Sequence, residues 1–263
     1  MTSIDEKRVY NDREGTVTVY VATELGVVRV EISGDIVGEF SMAHRCVARD
    51  VATVGDSLAV ATDEDALDSD FRTLGFGPTV AVGFDGDTLL AAGDDGTLAR
   101  YDDGDDEWHE LASLPEVRAI DGDMLATADG IYQIVDDGVR NVGLNDVRDV
   151  STDGVPLAAT AEGLYWLGNG WIDALDGDFR VVSSTDEDAY AAADALFVRD
   201  GDDWQEVALP VADPVAAIGF GEGVYVATES GTFLSSVGNG WRSRHLGLTG
   251  VRALSVCYST SSS

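Results

Sequence analysis

The chain has 263 residues, 44% of them hydrophobic, and a formal net charge of −33 from 49 acidic and 16 basic side chains. That much apolar content excludes a disordered acidic chain, and the charge excludes non-specific nucleic-acid binding, which needs a basic face to meet phosphate. No apolar run reaches the ~18 residues that a membrane helix requires, so neither nucleic acid nor membrane is an expected partner.

In chain order, residues 1–15 (MTSIDEKRVYNDREG) carry charges where a signal peptide needs an apolar stretch. They read as an N-terminal segment of a cytoplasmic protein. From residue 16 to 257 one phrase repeats, leaving 258–263 as a tail. Its clearest copy is Glu116–Ile134: a strand at Val117–Ile120, an Asp-Gly-Asp turn, a strand at Met124–Thr127, an Asp-Gly turn and a strand at Ile131–Ile134. Short apolar runs punctuated by Asp-Gly are the hairpin signature. The turn after the second strand recurs at Gly26, Asp65, Gly96, Gly130, Gly163, Ala195 and Gly231, 31 to 39 residues apart. Small-residue strands precede it (VYVAT, LAVAT, LLAAG, MLATA, PLAAT, AYAAA, VYVAT), and a later strand often opens on an aromatic: Phe71, Trp108, Trp171, Trp204, Trp241.

Seven units of four short strands predict an all-β fold, a seven-bladed β-propeller of four-stranded antiparallel blades. Six or eight blades are the alternatives. The run Val251–Val256 follows the last unit without a blade of its own. It is expected to become the inner strand of blade 1, closing the ring and removing an open edge; Lys7–Tyr10 is the other candidate for that place.

The first unit, with its outer strand expected at Ile36–Phe40, ends in AHRCVARD. His44 and Cys46 there do not make a metal site, because His109 and His245 fall on outer strands of other blades and three or four ligands must converge. The acidic runs at 63–70 (DEDALDSD) and 102–107 (DDGDDE) lack the glycine and glutamate of a Ca²⁺ loop and read as solvated hairpin tips. No metal and no cofactor is expected. The two cysteines, Cys46 and Cys257, read as buried reduced thiols whose separation the sequence leaves open.

The fragments GDDEW, NGW and GDDW resemble the Asp-box hairpin of sialidase-like propellers, but no complete box is present, and they read as a turn followed by an aromatic strand start. Nor is there a glycosidase carboxylate pair, a nucleophile elbow or a phosphate loop. An enzyme is therefore the less favoured reading.

One periodic set carries chemistry. Aligned inner strands place Arg49, Val80, Arg118, Arg148, Arg180, Ala216 and Arg252 in one slot, 30 to 38 residues apart. Five arginines at one height would ring the central channel, and the guanidinium fork suits bidentate carboxylate or phosphate recognition. The competing reading pairs each arginine with an aspartate of its own or a neighbouring blade, such as Asp50 or Asp149, as a lock between blades.

Lys7 is the sole lysine beside fifteen arginines. Self-repulsion of this size calls for screening, and at molar salt the Debye length falls to about 3 Å, which points to a salt-rich cytoplasm. With its repeat, its acidity and its near-absence of lysine, the chain resembles the uncharacterised haloarchaeal family of single-domain β-propellers, over essentially its whole length. That resemblance implies the fold and brings no activity or site residue with it. The expected function is a non-catalytic interaction scaffold, a monomer holding a protein partner. The alternative is an enzyme or small-ligand binder taking an anionic substrate in the arginine-lined channel.

Overall fold

The second strand of each repeat has no polar face, a pattern that fits a strand covered on both sides. The computed structural model describes residues 16–257 apart from Asp35, Asp137, Gly238 and Asn239, and it shows that cover. Blade 1 contains β1 (Thr16–Thr23), β2 (Gly26–Ser33) and β3 (Ile36–His44). Blade 2 is β4 (Ala48–Val54), β5 (Ser57–Thr62) and β6 (Ala66–Leu67), and blade 3 is β7 (Thr79–Asp85), β8 (Thr88–Gly93), β9 (Thr97–Asp102) and β10 (Glu107–Ser113). Blade 4 runs β11 (Val117–Asp121), β12 (Met124–Thr127), β13 (Gly130–Val135), β14 (Gly138–Gly143). Blade 5 runs β15 (Val147–Ser151), β16 (Leu157–Thr160), β17 (Gly163–Leu167), β18 (Trp171–Asp176). Blade 6 is β19 (Val181–Ser184), β20 (Ala189–Ala192), β21 (Leu196–Asp200) and β22 (Asp203–Val207). Blade 7 is β23 (Val215–Phe220), β24 (Val224–Thr228), β25 (Thr232–Ser236) and β26 (Arg242–His245), and β27 (Val251–Cys257) returns to blade 1.

These strands form seven antiparallel sheets arranged as a β-propeller, with no helix among the described residues. The core is seven clusters, one between each pair of neighbouring blades. Strand β8 shows how alternation feeds two of them. Leu89 and Ala91 face blade 2, whereas Leu90 and Ala92 face blade 4. Small residues let both sheets approach.

The ring closes as expected. β27 pairs with β1 from Thr18↔Cys257 to Thr23↔Val251 and becomes the inner strand of blade 1. The Thr53 hydroxyl of blade 2 reaches the Ser255 hydroxyl and the Val256 carbonyl, both at 2.8 Å. An outer clasp joins the last blade to the first: Arg244 donates to the Val37 carbonyl at 3.1 Å and to the Gly38 carbonyl, with its guanidinium over the Phe40 ring. The alternative stretch Lys7–Tyr10 lies outside the described residues.

Blade 2 departs from the expectation of four strands. Its sheet has three, and a single bridge, Leu67↔Thr73, stands beyond β6. The acidic run begins, as expected, as an exposed hairpin tip at 63–65 between β5 and β6, and beyond β6 it goes on to organise a loop. Asp65 Oδ1 accepts from the amides of Ala66, Phe76 and Gly77, and Asp68 Oδ1 from those of Asp70 and Arg72. Phe71 opens no strand. It sits at φ 59° and stacks on His44 at 4.9 Å. The other expected tip forms a hairpin turn, with the Asp102 carboxylate accepting from the Gly104 amide and the Tyr101 hydroxyl donating to Asp106. β3 runs on to His44, past the expected end at Phe40, so the start of the AHRCVARD tail is strand.

A threonine at the end of the second strand fixes the next turn. The hydroxyls of Thr23, Thr127 and Thr160 donate to the carbonyls of Gly26, Gly130 and Gly163 at 2.8 to 3.0 Å. Gly26 is obligatory there: at φ 139° any Cβ would lie 2.1 Å from the His44 carbonyl oxygen. Both cysteines are free, and both are half-buried against the expectation of burial, because each stands at or just outside an end of an inner strand. Cys46 packs with the cluster around Val27, while Cys257 donates to the Gly55 carbonyl at the other end of the inner strand.

Candidate functional site

The inner strands β4, β7, β11, β15, β19, β23 and β27 all begin at one mouth of the central channel. Close to that start the ladder slips by one residue. Ala48 faces Thr62 and Asp50 faces Ala61, so Arg49 between them has no ladder partner. The same slip leaves out Val80, Arg118, Arg148, Ala216 and Arg252. In blade 6, Arg180 stands just ahead of β19, and its amide bonds the Ala192 carbonyl at 2.9 Å, beside the Val181↔Ala192 pair. Each position of the arginine slot is thus a β-bulge or its equivalent, and a bulge frees one residue from the ladder and re-aims its side chain. A cavity of about 720 Å³ fills the channel, and all five arginines line it.

Three of these arginines reach into the next blade by one rule. Arg49, Arg118 and Arg148 donate to the carbonyls of Thr79, Val147 and Phe179, in each case the residue just before the next blade's slot, at 3.2 to 3.4 Å. One position earlier stands the ion-pair partner. Arg118 meets Asp146 at 2.6 Å, with Glu116 of its own blade at 2.9 Å, and Arg148 meets Asp178. Burial works against the Arg118 charge, but the Asp146 and Glu116 bonds outweigh it and raise its pKa, while the Asp146 carboxyl is held below its ordinary range by Arg118. The rest of the ring is looser. Arg180 lies 3.9 Å from Asp178 and 3.5 Å from Asp194, Arg49 lies 3.8 Å from Asp94, and Arg252 makes no ion pair among the described residues.

Asp50 and Asp149 do not pair with the slot arginines, contrary to that expectation. Each spans two blades through backbone amides. Asp50 accepts from Val51 at 2.8 Å and from Val82 of blade 3 at 3.0 Å. Asp149 accepts from Val150 and from Val182 of blade 6, both at 2.9 Å. Asp121 likewise takes the amide and hydroxyl of Thr152 in blade 5. All three line the channel. They are sunk deep among protein atoms and meet solvent through the lumen. Burial pushes Asp50 and Asp149 up to about 7 against the pull of their amide bonds, and it raises Asp121 as well. Sequence reasoning missed this role. The signal available was the Arg-Asp-Val run shared by Arg49–Val51 and Arg148–Val150.

Outside the channel the chemistry-bearing residues stay apart. His44, His109 and His245 sit beside Phe71, Asp102 and Thr232 respectively, and no three His, Cys, Asp or Glu among the described residues converge to hold a metal. The strand-opening tryptophans bind the preceding blade. Trp108 Nε1 donates to the Leu74 carbonyl and Trp171 Nε1 to the Val142 carbonyl.

The chain matches the family model for HVO_0234-like β-propellers over residues 3–257. No curated protein matches it. Among solved structures it is similar to the WD40 β-propeller domain of Doa1, with a TM-score of 0.67 and 14% identity over 85% of this chain and 89% of that one. It is also similar to the computationally designed Ika8 protein, with a TM-score of 0.63 and 13% identity over 92% and 88%. YCF48 bound to D1 peptide gives a TM-score of 0.58 and 16% identity over 75% and 82%. At these identities the likeness is one of fold.

Proposed function

The chain belongs to the HVO_0234-like β-propeller family, and from that premise we propose that it is a non-catalytic interaction scaffold holding a protein partner at the arginine mouth of its channel. One observation carries this reading: the bulge at the head of the inner strands leaves the slot residue out of the ladder, and five of the seven slots put an arginine on the channel lining, of which Arg118 and Arg148 are already closed by carboxylates of the chain itself and the others stand open to a partner. A guanidinium fork held at a rigid rim recognises carboxylates with defined geometry. YCF48, on the same fold, binds a D1 peptide, which supports a protein partner here. The charge of −33 supports work in a salt-rich cytoplasm, as in a haloarchaeal cell, where contact ion pairs persist but long-range attraction is screened.

The second reading, a small anionic substrate or ligand in the channel, is favoured by the size of the cavity and by Asp50 and Asp149 titrating near neutrality within it. Affinity purification from the native host in molar KCl, with mass spectrometry for proteins and small anions, separates the two. A stoichiometric protein partner is the expected result. A bound small anion without protein would overturn the scaffold and favour the second reading.

A further inference from the structure

The arginine mouth is divided into a filled sector and an open one. In blades 4 and 5 the slot arginine finds a carboxylate two positions before the next blade's slot, Asp146 for Arg118 and Asp178 for Arg148. For Arg252 and Arg49 that position is held by Val47 and Pro78. These two arginines stand on adjacent inner strands, β27 and β4, tied together by the Thr53 and Ser255 hydroxyls. Their slot neighbours on either side are Ala216 and Val80, which bring no charge to the rim and pack against the cores between blades. Glu24, on the β1–β2 turn of the same face, has its Oε1 engaged by the Thr249 hydroxyl at 2.6 Å. Arg252 is exposed, and among the described residues Arg49 keeps the Thr79 carbonyl and a distant Asp94.

We infer that Arg252 and Arg49 form a carboxylate-binding site, and that its occupant is an acidic segment of the protein partner proposed above. The filled sector supplies the template, since a partner's carboxylate beside Arg252 takes the place that Asp178 takes beside Arg148. The surroundings favour a protein segment over a small polar anion. Leu25 on the β1–β2 turn and Val47 ahead of β4 are large apolar side chains, 51% and 36% exposed on the same face, and they would pack against aliphatic portions of a peptide. The inference rests on the scaffold reading for its occupant and on the rim geometry for its site.

The test is fluorescence anisotropy of a fluorescein-labelled octaglutamate peptide in 1 M KCl, where a Debye length of about 3 Å leaves contact pairs and removes diffuse attraction. The expected outcome is saturable binding, weakened about tenfold or more by Arg252→Ala and several-fold by Arg49→Ala, and changed less than twofold by Arg118→Ala. Arg252→Lys, which keeps charge and fold but loses the planar fork, should fall between wild type and Arg252→Ala. Equal binding by wild type, Arg252→Ala and Arg49→Ala would overturn the site, and so would no saturable binding by wild type. Free glutamate competing as well as the peptide would overturn the protein segment as occupant. A partner recovered by purification but retained by Arg252→Ala would sink this site and leave the scaffold standing. Peptide binding without any recovered partner would do the reverse.

Discussion

Blades 2 and 5 carry the same three residues at the head of the inner strand, Arg49-Asp50-Val51 and Arg148-Asp149-Val150. Both bulge at the arginine, both send that arginine to a carbonyl of the next blade, and both use the aspartate to capture the next blade's valine amide. They part at one position. Asp178 follows blade 5 and closes on Arg148, whereas Pro78 follows blade 2 and leaves Arg49 with Asp94 at 3.8 Å. Identical local structure therefore serves as a lock in one blade and as an open rim in the other. The difference is set by a residue some 30 positions further on, in a neighbouring blade.

The largest effects should fall where the two blades agree. Asp50→Ala and Asp149→Ala each leave two amides without an acceptor, and each should cost about 1–3 kcal/mol in urea unfolding. A cost at Asp149 with none at Asp50 would break the equivalence. The same carboxyls set a pH dependence. Folded, they titrate near 7 against an ordinary value of 3.8, so between those values the folded chain holds protons that the unfolded chain releases. Their contribution to stability rises as pH falls from about 8 towards 5 and levels off near 4. Thermal melting in buffered molar KCl should show the midpoint rise by several degrees over that range in wild type, and a flatter profile in the Asp50→Asn/Asp149→Asn double variant.

The next effect is on the open sector. Val47→Asp supplies the missing carboxylate opposite Arg252, and it should lower octaglutamate affinity about tenfold, or roughly 1.4 kcal/mol. Unchanged affinity would mean that Val47 does not stand where Asp178 stands. Smaller again are the arginines themselves. Arg148→Ala removes a partly exposed ion pair and a carbonyl bond, and should cost about 1 kcal/mol by chemical denaturation. Arg252→Ala, with no ion pair to lose among the described residues, should stay within about 0.5 kcal/mol. Equal costs at the two positions would contradict a filled and an open sector.

The repeat was legible because six of the seven turns carry glycine or aspartate and each inner strand needs apolar residues, so period and blade count follow from local chemistry. The arginine slot was legible for the same reason, since it recurs with the blade. The bulge was not. It is a property of the ladder, and Arg118 has no sequence mark that distinguishes an unpaired residue from a paired one. Nor were the partners, because the pairing of Arg118 with Asp146 becomes visible only when the slots are stacked in space. Opposite charge makes Asp50 and Asp149 the obvious example partners for the slot arginines in the lock reading, yet their carboxylates take backbone amides of the next blade. Blade 2 misled for a different reason. Phe71 occupies the position of a strand-opening aromatic, but the Asp65 and Asp68 carboxylates gather the surrounding amides into a loop before a fourth strand can form.

The central claim is that a protein partner docks at the arginine mouth, and the most direct test is purification from the native host with two baits in molar KCl. One bait carries Arg49→Ala and Arg252→Ala, the other Arg118→Ala and Arg148→Ala, each confirmed folded by thermal melting. The account predicts a stoichiometric partner with wild type and with the second bait, and its loss with the first. A partner held equally by all three would contradict it.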